Sequence, residues 1–208
     1  MHRYAARQRQ LRDAATRAEV ALAESEGDKF PGRIIVVDLA DVNGSTQAFE
    51  GKHWLEQCLN EGATLGWSIE WQPDRTPQSN NDVAIMVFGD ADVALLLRTH
   101  RTKFWLPDVV RRVLESLVVR KVFLCSGGVP KQKMKDTFNL EVKGLVDLLQ
   151  VACRKGIIEQ ELRELGGRCQ IRIRRDRRCA RSQWTSQHLT EGQLQYAAEG
   201  AYYHSLIL

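Results

Sequence analysis

The sequence predicts an α/β domain on a mixed sheet: three antiparallel strands, then alternating helix and strand, with helices flanking the sheet. Three observations predict it. Apolar, β-rich runs at Leu65 to Trp71, Val83 to Phe88 and Val93 to Arg98 are separated only by a loop and a short turn, which is how hairpin-paired strands read. Val109, Val110, Val113, Leu114 and Leu117 then recur at helical spacing, and Val118 to Leu124 follows as a buried strand. At 208 residues, 43% of them hydrophobic, the chain is long enough for one full core and short for two.

Taken in order, residues 1–29 read as a basic helical extension and residues 30–208 as the domain. Arg3, Arg7, Arg9, Arg12 and Arg17 lie among alanines, a composition that fits a mitochondrial targeting helix or a helix lying on a partner or on the domain itself. Ile34 to Val37 form a first, edge strand, and Gln47 to Leu59 a helix with Phe49, Trp54, Leu55 and Leu59 on one side. Asp38 and Asp41 follow that strand into a turn at Asn43 and Gly44, a poor position for a metal-binding pair. Two prolines, a serine and paired asparagines make Pro73 to Asn81 a loop. Pro107 opens the helix that carries Val109 to Leu117. Lys131 to Phe138 reads as another helix, and Val142 to Ala152 as a short strand or turn followed by a helix.

A charged fraction of 27% and a net charge of +4 describe a mildly basic protein, compatible with a polyanionic partner without demanding one. The distribution says more than the total. Between Arg154 and Arg181 stand ten basic and four acidic residues, a net of +6, and the arginines gather around Ile171 and Ile173. Arg168, Arg172, Arg174, Arg175, Arg177, Arg178 and Arg181 are therefore the candidate nucleic-acid contacts, on an exposed basic strand or loop suited to phosphates. Smaller basic clusters are Arg98, His100, Arg101 and Lys103, and Lys131, Lys133 and Lys135. Five cysteines without a Cys-x-x-Cys spacing argue against a disulfide framework or a zinc site and for a reducing, intracellular compartment. No apolar run reaches the roughly 20 residues that span a bilayer.

The run Leu65-Gly66-Trp67-Ser68-Ile69-Glu70-Trp71 is similar to the first motif of the RNase D and Werner-type 3′-5′ exonuclease domains, a DEDDy-type group of the ribonuclease H-like superfamily. The closing block resembles theirs too: Trp184, then Leu189, Thr190, Glu191, Gln193, Leu194, Gln195, Tyr196, Ala197 and Ala198, with Thr190 as N-cap and Gln193 at the capping-box position. With Asn81, Arg98, the Lys103 to Pro107 stretch, Gly144 and Asp147, the resemblance covers about residues 33 to 208. It implies a ribonuclease H-like sheet and a site where acids from separate elements hold two divalent cations about 4 Å apart.

Carried over by position, the motifs are depleted. The first motif's Asp-x-Glu is Ser68 and Glu70. The second motif falls in Ser126 to Met134 and puts Pro130 at the aspartate. The third keeps Tyr196, which in the family orients the attacking water, and has Gly200 at the aspartate. Glu199 beside Gly200 belongs to another side of the helix, and Asp147 matches a family position outside the metal cluster. One carboxylate and a serine cannot hold two cations against water. The sequence thus predicts no catalytic residues, no metal ligands and no cofactor. Ser68, Glu70, Pro130, Tyr196 and Gly200 are remnant positions of a non-enzyme that binds RNA or another nucleic acid. It would serve within a larger assembly of protein subunits, a mitochondrial ribonucleoprotein being one setting. Two alternatives remain: an active exonuclease with an atypical Mg²⁺ or Mn²⁺ site, and a purely protein-binding scaffold.

Overall fold

The computed structural model describes residues 29–43, 45–76, 78–102, 105–124, 128–157, 162–173 and 176–208. The extension expected over 1–29 therefore lies, apart from Lys29, outside the described residues, as do Lys103, Cys125, Ser126, Arg174 and Arg175. The strands are β1 (Arg33–Asp38), β2 (Thr64–Trp71), β3 (Val83–Gly89), β4 (Val93–Arg98), β5 (Arg120–Phe123) and β6 (Leu145–Asp147). They form one sheet in the order β1-β4-β3-β2-β5-β6. The three middle strands pair antiparallel as the hairpin pattern requires, while β1 joins β4, β5 joins β2 and β6 joins β5 in parallel.

Parallel neighbours need crossovers. Helix α1 (Thr46–Glu61) links β1 to β2, α2 (Asp108–Glu115) links β4 to β5, and α3 (Val129–Phe138) links β5 to β6. Then come α4 (Leu148–Arg154), α5 (Leu162–Arg168), α6 (Arg177–Ala180) and α7 (Glu191–Ile207). Every residue of β3 is buried, as a central strand covered on both faces must be. On one face Trp67, Met86, Phe88 and Leu97 pack with Leu55, Val113 and Met134 from the first three helices. On the other, Ile85, Val87 and Leu96 meet Trp184 and the small residues Ala197, Ala198 and Ala201 of α7. Among the described residues no helix is long and apolar enough to cross a membrane.

The last helix decides the geometry of the second face. It starts where the sequence says: the Thr190 hydroxyl accepts from Gln193 N and the Gln193 side chain accepts in return from Thr190 N. Alanines along it allow a close approach, and Gly66 completes it, because a Cβ there would sit 1.7 Å from the Ala201 carbonyl oxygen. Helix α7 thus lies backbone against backbone on β2.

One sequence expectation needs correction, at the end of α2. Leu117 and Val118 were expected in the helix and strand around them, yet both are exposed in a turn. Ser116 caps α2 in an extended conformation, and its hydroxyl accepts from Val118 N and Val119 N, which ends the helix early. Of the two alternatives for the arginine-rich stretch, strand or loop, residues 171–173 are a loop, flanked by α5 and α6. Leu165 and Ile173 hold it down by packing with Val122, Leu148 and Tyr203. Two lysines are also interior. Lys121 on β5 is wholly buried, and its ammonium donates to Val113 O, Ser116 O and Val119 O at 2.8, 2.7 and 2.8 Å. Burial pushes its pKa from 10.5 down to about 8, against the three carbonyl oxygens, which favour the charged form.

Candidate functional site

Among the described residues, strand β5 pairs with β2 only as far as Gly66, and from Trp67 onward no described strand pairs with that edge of β2. This region lies beyond the carboxyl ends of two parallel strands, where α/β sheets place their ligand crevices. A cleft of about 230 Å³ forms there, lined by Trp67, Ser68, Ile69, Glu70, Trp71, Phe123, Leu124, Pro130 and His204. Ser68, Glu70 and Pro130, drawn from two separated motifs, thus share one cleft. Ser68 and Glu70 stand opposite Val87 and Ile85 on β3, on the sheet face that α7 covers. Pro130 occupies the first turn of α3, after Gly128 at φ 78, where a missing backbone N–H does no harm.

Tyr196 and Gly200 lie on α7 and are buried, Tyr196 tilted against Trp184 at 6.0 Å between ring centroids. Neither lines the cleft. Their helix reaches it through His204, one turn past Gly200, whose Nδ1 lies 3.0 Å from Trp67 O. Facing a carbonyl, that nitrogen must carry the proton and donate. His204 was not singled out from the sequence, although positions 196, 200 and 204 repeat at four-residue spacing along one helix face. Glu199 is buried on α7 and is not part of the cleft lining.

The polar groups of the cleft are few. Glu70 supplies its carboxylate and Ser68 a hydroxyl whose oxygen is buried with no hydrogen-bond partner among the described residues. The Trp67 indole N–H is likewise buried and unpartnered among them. The rest of the wall is indole, phenyl, aliphatic and proline surface, with Trp67 edge-on to Phe123 at 5.9 Å. Pairs of Mg²⁺ or Mn²⁺ ions need several carboxylate oxygens. This donor set, one carboxylate, one hydroxyl and an imidazole with one nitrogen engaged, does not fit such a pair. Among the described residues no group of three or more His, Cys, Asp or Glu could hold a metal ion.

The basic clusters fare differently from one another. Arg98 donates to Ser186 O and Gln187 O at 2.5 and 2.7 Å, tying the turn before α7 to β4, and lies 3.6 Å from Asp38. Arg101 also approaches Asp38, at 3.5 Å, while Asp38 Oδ1 accepts from Ala40 N. Burial, and then the Arg98 charge, holds the nearby His100 imidazole below its usual range. Lys133 belongs to no surface patch: it is buried, with its ammonium on Asp74 Oδ2, Asn80 Oδ1 and Asn81 O at 2.8–2.9 Å and its Nζ 5.3 Å from the Trp71 ring centre. It pins the 73–81 loop to α3. Desolvation opposes, but the Asn81 N–H and the Lys133 ammonium hold the Asp74 carboxyl below the ordinary carboxylate range.

Of the candidate phosphate contacts, Arg168 ends α5 and Arg172 lies between half-buried Ile171 and buried Ile173, both arginines exposed. Arg177 opens α6, Arg181 caps it and is exposed, and Arg178 is 92% exposed with Nε 3.3 Å from Asp176. Arg174 and Arg175 lie outside the described residues. Because Leu165 and Ile173 pack on Tyr203, the neighbour of His204, these arginines are carried by a segment anchored to the helix that walls the cleft.

This six-stranded mixed sheet, its closing helix laid across the second strand, is a fold shared with solved exonuclease structures. No family model and no curated protein matches the chain. Among solved structures it is similar to the EXO domain of Nibbler from Aedes aegypti, with 16% identity and a TM-score of 0.66 over 86% of this chain and 88% of that one. Escherichia coli RNase D, an exoribonuclease involved in structured RNA processing, matches at 17% identity and a TM-score of 0.60 over 83% of this chain and 42% of its own. The catalytic core of RRP6 from Trypanosoma brucei matches at 13% identity and a TM-score of 0.65 over 90% and 50%.

Proposed function

We propose that this chain is an exonuclease fold without phosphodiester hydrolysis, which binds RNA or another nucleic acid as a subunit of a larger assembly. The observation that carries this reading is the cleft itself. Where the fold would need acids from several elements to converge, Glu70 meets a serine, a proline and aromatic rings. Two-metal hydrolysis depends on carboxylates shared between the ions, and Ser68 and Pro130 provide none. Nucleic-acid contact is supported by the exposed Arg168, Arg172, Arg178 and Arg181, whose guanidinium groups suit bidentate phosphate binding, and by the RNA-processing role of RNase D, which shares the fold.

Two measurements on the full chain test it together. Labelled single-stranded RNA is titrated at 50 and 200 mM salt, and the same RNA is incubated with protein and Mg²⁺ or Mn²⁺. The expected result is binding that weakens on the order of tenfold or more across that salt range, with no shortening from the 3′ end. Shortening abolished by Glu70→Ala would replace this reading with an active enzyme. Absence of salt-sensitive binding would replace it with a protein-binding scaffold.

A further inference from the structure

We draw no further inference here: the strongest candidate, the apolar groove between α1 and α2 rimmed by the exposed rings of Phe49 and Trp105, carries none, because among the described residues Lys52 is its only charged lining side chain and nothing in the structure shows what covers it.

Discussion

Replacing Lys121 with methionine probes a charge held inside the sheet. The side chain keeps its length and loses its three donors. Val113 O also accepts from Ser116 N at 3.3 Å, so the change takes the ammonium chiefly from Ser116 O and Val119 O. A stranded buried carbonyl costs about 1–3 kcal/mol, so two cost about 2–6. The opposing term is the relief of burying an ammonium. The fall in pKa from 10.5 to about 8 sets that burden near 3.4 kcal/mol relative to the neutral amine. A Cβ at Gly144 would lie within 2.7 Å of both carbonyls, so the space beside them is tight, and the two opposing terms nearly cancel. From the middle of the range for the stranded carbonyls, Lys121→Met is expected to lose only about 0.6 kcal/mol in urea melts at pH 7, or about 1–2 °C in Tm at this size. The pH dependence has a definite sign. The folded value lies below the unfolded one, so between about 8 and 10.5 the unfolded chain holds the extra proton. The stability of the parent over the variant therefore grows as pH rises through that window and is flat below about 8. A variant as stable as the parent at pH 7, with a difference that does not change up to pH 10, would refute the reasoning.

The other expectations are narrower. Gly66→Ala places a methyl against the Ala201 carbonyl and should cost about 3 kcal/mol or more, since backbone must move on both sides; near-neutral urea melts would mean that α7 does not rest on β2 in solution. Arg172→Ala should weaken RNA binding uniformly across sequences and lower the slope of log affinity against log salt by about one, read by anisotropy titration at several salt concentrations. Burial, then Asp90 and Glu61, raises the Cys58 thiol to about 12, so at pH 8 a disulfide reagent should label exposed Cys153 and Cys169 at once and Cys58 only on unfolding.

Much of this architecture could be read from residues alone. The strands at 64–71, 83–89 and 93–98 are runs of apolar and β-branched residues bounded by turns, and the start of α7 is spelled out by Thr190 and Gln193. Burial of lysines could not be read, because the acceptors of Lys121 come from a helix end and a turn, and those of Lys133 from a loop more than 50 residues away. Helices α5 and α6 are short and arginine-rich, and what holds their segment, Leu165 and Ile173 against Tyr203, is tertiary. At the cleft, the resemblance pointed to Ser68, Glu70 and Pro130 as positions. The aromatic wall and His204 came only from the way β5, among the described residues, pairs with β2 no further than Gly66.

Order of synthesis gives the α7 contact one more meaning. Ile85, Val87 and Leu96 are covered on that face by a helix that begins about a hundred residues after β3 ends. While the chain is being made, this half of the sheet stays wet through all the intervening translation, and seals only when Ala197 to Ala201 emerge. The nascent polypeptide thus presents an adhesive sheet face for several seconds at ribosomal speed, and chaperone demand should fall on that interval.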